Sequence, residues 1–225
     1  MTLALLADCS GAVPDGIAAG DAAAALGLSP FKSPVRLWME MTGRRALLQA
    51  EADEAARADA STHWSRVIEA LLRAHYGLHT GHKPRRCERR GHAEHSWMLS
   101  GSAQVLSSSP QVDLLLCLSV GASEVAHWRD EMPVHVRAQA LHELVVASAK
   151  GVDVMVLLGG RDLQVHRVLP NARAARELIA QEEAFWNCVQ TQRAPPPDLA
   201  LDPRHLLRLS VDRIDRAFSA LRPSI

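Results

Sequence analysis

The most concentrated basic stretch of the sequence runs from residue 82 to residue 95 and reads HKPRRCERRGHAEH. Cations this closely spaced can bind nucleic-acid phosphates, because the release of counterions makes such contacts a main source of DNA affinity. The cations that we assign to this interface are Lys83, Arg85, Arg86, Arg89 and Arg90. The alternative is a solvated strand edge that binds nothing, and the sequence alone does not separate the two.

The same stretch contains Cys87, His92 and His95, which are potential zinc ligands. Zinc sites in proteins usually have four ligands at characteristic spacings, and no fourth ligand stands at such a spacing here. We therefore predict no metal site. The four cysteines are far apart and do not show the paired spacing of a disulfide framework. This favours a reducing compartment and a cytoplasmic protein.

Composition limits the classes of protein that remain. A chain of 225 residues that is 48% hydrophobic can form one large domain, or one domain with a small appendage. The 25 basic and 25 acidic residues balance, so DNA binding must come from a local patch rather than from the global charge. No apolar run approaches the roughly 20 residues of a membrane span, so no membrane partner is expected.

A nine-residue apolar run, VDLLLCLSV at 112–120, dominates the pattern of hydrophobic residues. Turn-forming sequence bounds it on both sides, which predicts a strand buried on both faces at the centre of a sheet. Residues 152–158 predict a second buried strand, and 163–168 alternate like its hairpin partner.

Helices are predicted around these strands at 21–26, from Pro34 onward, at 64–76, 134–149 and 171–190. Residues 49–62 are alanine- and acid-rich and predict a solvated helix or connection. Glu69 lies beside the apolar stripe of the 64–76 helix, where a glutamate is usually a half-exposed salt-bridge partner.

The C-terminal part of the chain differs in character. Three prolines at 195–197 form a stiff linker, and Asp202 caps a last predicted helix with Pro203 at its first position. The apolar residues of that helix are spaced by four and three: Leu207, Val211, Ile214, Phe218 and Leu221. Such a seam needs a partner surface, either the chain's own core or another subunit. We predict a domain over 1–194 and a linker with a C-terminal helix over 195–225.

Several segments resemble the YqaJ-type viral recombinase family, relatives of the phage lambda exonuclease. The opening segment DAAAALGLSPFKSP at 21–34, followed by Leu37-Trp38 and Thr42-Gly43, is similar to the signature of that family. Further similar segments are IEAL at 68–71, HAEHSWML at 92–99, Met132-Pro133 with Gln139 and His142, and the stretch from LLGG at 157–160 to Phe185-Trp186.

The resemblance implies an α/β fold, a mixed sheet flanked by helices with a restriction-endonuclease-like nuclease core and a C-terminal helical extension. It also implies a magnesium-dependent exonuclease that degrades one strand of duplex DNA. Such enzymes are often trimeric rings and work beside a strand-annealing protein.

The sequence departs from the active-site pattern that the resemblance implies. The family has a carboxylate about where Ala103 stands and a Glu-x-Lys on the central strand, where we match Leu116 and Leu118. Magnesium requires oxygen ligands, which leucine and alanine cannot supply. Of the residues near the family's site only Glu69 and Gln139, with His142, remain. Asp113 cannot stand in by strand alternation, because it points to the face opposite Leu116 and Leu118.

Three hypotheses remain. The first is an inactive relative that binds DNA or a partner protein, such as a strand-annealing protein or an active nuclease homologue, without a cofactor. The second is an active magnesium-dependent 5'-3' exonuclease with relocated ligands, for which Glu124, Asp130 and Glu131 are the candidates. The third is an assembly or inhibitory subunit that does not bind DNA. The family resemblance implies a homo-oligomer, a trimer, in each case.

Overall fold

The structure, a computed structural model, describes residues 15–44, 52–86, 88–107, 109–129, 131–198 and 201–202; for 52–63 and 107 it describes the backbone alone. The predicted C-terminal helix after Pro203 lies outside these residues. The division into 1–194 and 195–225 therefore remains a prediction.

A five-stranded mixed sheet forms the centre of the fold, with the strand order β2-β4-β5-β6-β7. Its strands are β2 (Lys83–Arg86), β4 (Gln104–Ser107), β5 (Leu114–Val120), β6 (Val152–Leu158) and β7 (Asp162–Val168). Only the β5–β6 pair is parallel. A separate two-stranded parallel pair joins β1 (Ile17–Ala18) and β3 (Met98–Leu99).

Helices cover both faces of the sheet. Their bounds are α1 (Ala19–Ala25), α2 (Pro34–Met41), α3 (Ala52–Thr80), α4 (Val134–Ala147) and α5 (Ala172–Gln190). α3 packs on one face of the sheet. α4 packs on the other, and α1, α2 and α5 lie beyond α4 around their own apolar cluster. The predicted mixed sheet flanked by helices is confirmed.

The central run forms β5, as predicted, and both of its faces are buried. Leu114 and Leu116 contact the cluster under α4. Leu115 and Cys117 contact Leu72 and other residues under α3. Alternate side chains of a strand point to opposite faces, so an apolar residue at every position predicts this double burial.

Helix ends follow local chemistry. Ser33 caps α2 through a bond from the Arg36 amide, with Pro34 at the first helical position. Gly27 adopts a φ of 69° after α1, a conformation in which a side chain is strained. Two regions that we predicted separately, 49–62 and 64–76, belong to the single long helix α3 over the part that is described.

Glu143 of α4 holds the loop that leads into β4. Its Oε1 accepts hydrogen bonds from the amides of Gly101 (2.9 Å) and Ala103 (3.2 Å). A Cβ at Gly101 would come within 2.9 Å of that oxygen and 3.0 Å of the Ala19 Cβ, so a side chain there would displace the carboxylate. Glu143 is 1% exposed. Burial raises its pKa, although the two amides and His142 oppose the shift.

Replacing Glu143 with Ala should lower the free energy of unfolding by about 2 kcal/mol, because two partly buried amides lose their acceptor. Gln is the matched control, because its carbonyl oxygen can still accept from both amides. Chemical denaturation measures the difference, and equal stability of the Ala and Gln variants would contradict the assigned role.

Wild-type protein and the Glu143→Gln variant together test the pKa of Glu143. Its pKa is higher in the folded than in the unfolded chain, so the folded state binds more protons above the ordinary value of 4.5. Stability must therefore fall as the pH rises from 4.5 through the raised pKa. We expect denaturation of wild type, relative to Glu143→Gln, to show this fall, and a difference that stays flat with pH would contradict it.

Candidate functional site

Glu69 lies on the sheet-facing side of α3 and is half-buried. The side-chain amide of Gln104, on β4, donates a hydrogen bond of 3.0 Å to Glu69 Oε1. Gln104 is 1% exposed, and its Oε1 has no hydrogen-bond partner among the described residues. Gln104 is paired with Leu115 of β5, so both side chains project from the same face of the sheet.

Cys117 follows Leu115 on this face. Burial raises the pKa of the Cys117 thiol to about 12, and the negative charge of Glu69 adds to the shift while Arg73 opposes it. The thiol is therefore protonated at neutral pH and is neither a metal ligand nor a nucleophile in this state. The polar groups around Glu69 beneath α3 are thus a glutamate, a glutamine and a neutral thiol.

The opposite face of the sheet holds the other predicted positions. Ala103, Leu116 and Leu118 come together in the apolar cluster under α4, as expected of a cleft filled with apolar side chains. Gln139 lies on α4 and is half-buried. His142 is fully buried, with Nδ1 2.8 Å from a carboxylate oxygen of Glu182 and Nε2 3.0 Å from the carbonyl oxygen of Leu99. His142 thus joins α4, α5 and β3 instead of facing an open cleft.

The structure does not bring Glu69 to the other predicted site residues. Glu69 lies beneath α3, whereas Leu116 and Leu118 face α4 across the sheet. The family resemblance implied that these three residues and Ala103 would lie around one cleft. The alternation of side chains along β5 instead separates Glu69 from the other three. The β5 residues on the same face as Glu69 are Leu115 and Cys117, which are two positions apart, as the residues of a Glu-x-Lys pair would be. Neither is a carboxylate or a lysine.

The residues on both faces fail to fit magnesium. Under α3 the oxygen donors are Glu69 and the unpartnered amide oxygen of Gln104, and under α4 the equivalent positions are hydrocarbon. Mg²⁺ prefers octahedral oxygen ligands, commonly including one or two carboxylates. Across the described ranges no group of three or more His, Cys, Asp and Glu residues could hold a metal ion.

The candidates for relocated ligands lie elsewhere. Asp113 accepts from the amide of Lys150. The amides of Asp113 and Leu114 both donate to the carbonyl of Gly151, an irregularity of the strand entry that the sequence did not signal. Glu131 is exposed and pairs with Arg137. Glu124 lies in a short 3-10 helix after β5, and Asp130 is outside the described residues.

The start of the predicted basic segment, Lys83–Arg86, forms an edge strand of the sheet, a geometry that both of our alternatives allow. β2 pairs with β4, and Pro84 removes a backbone donor from the strand, as is usual at edges. Arg86 is paired with Gln104 and so points to the α3 face, whereas Lys83 and Arg85 point to the other face. Arg89 and Arg90 follow in the loop to β3.

These five cations are exposed, and none forms an ion pair with another described residue. A further arginine, which the sequence pattern had not singled out, lies on the α3 face of the sheet. Arg73 is half-buried on α3, and it is close enough to Cys117 to lower the pKa of the thiol. Its spacing of four residues from Glu69 places it on the same side of the helix, and this spacing could have identified it.

Cys87 lies outside the described residues, so the absence of a zinc site stays a prediction. His92 and His95 stack with ring centroids 5.0 Å apart. Nδ1 of His92 accepts from the amides of Glu94 and His95, so this histidine stabilises a turn. Burial and the neighbouring His95 lower the pKa of His92.

A second polar group beneath α3 is structural. Tyr76 donates a 2.8 Å hydrogen bond to Asp153, whose carboxylate also pairs with Arg167. Burial, with Asp153, raises the pKa of Tyr76. The network ties α3 to β6 and β7 and satisfies a buried charge.

The fold is that of a known class of nuclease. The structure is similar to that of LHK-Exo in complex with dAMP, with a TM-score of 0.62 and 13% sequence identity over 90% of this chain and 97% of that one. A second structure, an alkaline exonuclease (LHK-Exo) from Laribacter hongkongensis, gives a TM-score of 0.59 and 11% identity over 89% of this chain and 96% of that one. At such low identity the likeness shows the fold alone.

Sequence comparison defines the family. Residues 12–150 match the YqaJ-like viral recombinase domain, and this chain belongs to that family. It is 23% identical to the uncharacterized protein YqaJ of Bacillus subtilis (strain 168) over 176 residues, which are 76% of this chain and 52% of the relative. The chain thus spans about half the length of the curated relative that it matches. Among the helices of the described ranges, none combines the length and apolar character that a bilayer span requires.

The raised pKa of Cys117 predicts low reactivity. A shift from 9.0 to about 12 lowers the thiolate fraction at pH 8 about a thousand-fold, and the side chain is 8% exposed. Alkylation with iodoacetamide at pH 8, followed by peptide mass spectrometry, should leave Cys117 unmodified in the folded protein and label it in urea. The half-buried Cys188 is the internal comparison. Equal labelling of the two cysteines in the folded protein would contradict the burial of Cys117.

Proposed function

We propose that this chain binds duplex DNA without hydrolysing it, and that it acts in DNA recombination of the phage type. The observation that supports the absence of hydrolysis is the double burial of β5. Neither face of this strand offers more than one carboxylate near the positions that the family uses for its metal. Without the metal, nothing at these positions would activate water or stabilise the negative charge of a phosphoryl transition state.

DNA binding is supported by the cations at the edge of the sheet. Arg85, Arg86, Arg89 and Arg90 are exposed along β2 and the loop after it, and Arg73 adds charge from α3. Both faces of an edge strand are accessible from its open side, so a duplex along β2 can contact cations of either face. The similar exonuclease structure contains dAMP, a nucleotide, which agrees with a nucleic-acid ligand for this fold.

The proposed role also includes a partner protein that acts on the bound duplex. A chain that holds duplex DNA without cutting it can position the duplex for a protein that acts on it, such as an active nuclease homologue or a strand-annealing protein. A cytoplasmic location follows from such a role. An assembly subunit that does not bind DNA is the alternative that the binding experiment below distinguishes.

DNA binding should depend on salt and on these arginines. Fluorescence anisotropy with a labelled linear duplex should show an affinity that falls as salt rises, and Arg85→Ala with Arg86→Ala should weaken it about ten-fold or more. Each lost phosphate contact should reduce the salt slope by about 1. Arg176→Ala is the matched control, since this exposed arginine lies on α5, on the other side of α4. Absence of salt-dependent binding would favour the assembly subunit.

Hydrolysis should be absent. Incubating wild-type protein with an end-labelled linear duplex in magnesium, and separately in manganese, should release no nucleotide above the buffer background. Glu69 is the one carboxylate left at the positions in question, so digestion that Glu69→Ala abolishes would show that the protein is an active nuclease. Digestion that survives this change would point to metal ligands elsewhere in the chain or to a contaminating nuclease. Glu124→Ala and Glu131→Ala separate these two cases, because they would abolish digestion by relocated ligands and leave a contaminant unaffected.

A further inference from the structure

Two histidines lie one turn apart near the end of α3, and we call them the histidine pair. His75 and His79 are four residues apart, and residues at this spacing are neighbours on one side of a helix. Their ring centroids are 4.1 Å apart, with an angle of 52° between the rings. Both side chains are exposed, and no hydrogen bond or ion pair within the described part of the chain occupies their ring nitrogens. The nitrogens are therefore available to a ligand.

The distance between the two rings fits two ligands of one metal ion. Metal–nitrogen bonds of about 2.0–2.1 Å with a right angle at the ion would place two imidazole ring centres about 4.4 Å apart. The observed 4.1 Å is close to this separation, and exposed side chains can rotate through the difference. The motif His-Glu-x-x-His places two zinc ligands at the same spacing on a helix. Here Tyr76, Gly77 and Leu78 stand between the histidines, so the general base of that motif is absent and the geometry points to binding alone.

The histidine pair lines a cavity of about 450 Å³ between α3 and the β6–β7 hairpin. His82, Leu163 and Val165 also contribute to its walls. Apart from the histidines, the charged groups of the walls are Asp153 and Arg167, which pair with each other at 2.8 Å and leave no net charge to repel a cation. An ion with two protein ligands keeps open positions for water, and the cavity provides room for that water.

The position at the end of a helix also favours a cation. α3 ends at Thr80, and His79 lies in its last turn. The carbonyl groups at the C-terminal end of a helix carry a partial negative charge, which attracts cations placed beside the last turn. An ion held by the histidine pair would lie next to these carbonyls and would link the last two turns of α3. The helix end and the two imidazoles thus favour the same kind of ligand.

Another two neighbouring histidines, His92 and His95, fit a metal ion less well. Their ring centroids are 5.0 Å apart, and the rings stack at 25° to each other. Nδ1 of His92 already accepts hydrogen bonds from two backbone amides, so only one of its nitrogens is left for a metal. In the histidine pair of α3 no such bond from a described residue competes with a metal. The pair in α3 is therefore the better candidate.

We propose that His75 and His79 together bind one divalent transition-metal ion of the kind represented by Zn²⁺, Ni²⁺ and Cu²⁺, with water in the remaining positions. Imidazole nitrogen suits these ions, whereas Mg²⁺ prefers oxygen ligands. The site shares no residue with the group around Glu69 or with the arginines of β2. It therefore depends neither on DNA binding nor on the absence of hydrolysis.

Calorimetric titration of the full-length, untagged protein with each of the three ions tests this site, after dialysis against a chelator. We expect one ion per chain, with Cu²⁺ bound more tightly than Ni²⁺. His75→Ala and His79→Ala should each weaken binding at least about ten-fold, since even the loss of a residue that only orients a metal ligand costs that much. His82→Ala is the matched control, because His82 lines the same cavity but lies outside the pair, and it should bind like wild type. An excess of Mg²⁺ should not compete.

A second measurement needs no variant. Modification of wild-type protein with diethyl pyrocarbonate, followed by peptide mass spectrometry, should show that one equivalent of Zn²⁺ protects His75 and His79. His127, an exposed histidine in the 3-10 helix after β5, should stay reactive with and without the ion. Wild-type protein that binds no ion, binding that is unchanged in both alanine variants, a loss in His82→Ala as large as theirs, or protection that misses the histidine pair would each overturn the proposal.

Discussion

The burial of both faces of β5 is the constraint on which the rest of this structure depends. Leu116 contacts the cluster under α4 and Leu115 contacts the cluster under α3, so the strand excludes water from both sides. A hydrated divalent ion needs several oxygen ligands, and the buried side chains of β5 on the two faces cannot provide them. The same packing that makes β5 a stable centre therefore places hydrocarbon and a thiol, with no oxygen ligand, at Leu115, Leu116, Cys117 and Leu118.

Polar groups that remain near the sheet have structural partners. Glu143 binds the amides of the loop before β4, and His142 contacts Glu182 on α5 and the backbone of β3. Glu69 accepts from Gln104. Because buried polar groups are costly unless they are hydrogen-bonded, each of these bonds stabilises the arrangement of helices around the sheet. The buried oxygen of Gln104 is the exception in the described part of the chain.

The sequence by itself determined the elements and the class of fold. The apolar run at 112–120, the hairpin after it and the main helices were readable because periodicity and turn residues act locally, and the missing carboxylates were readable as residue types. The tertiary structure decided which residues meet: it separated Glu69 from Leu116, joined 52–62 to the next helix, brought Arg73 close to Cys117 and exposed Leu71 and Leu78. These contacts depend on which face of a strand or side of a helix is covered, and that depends on how distant segments pack.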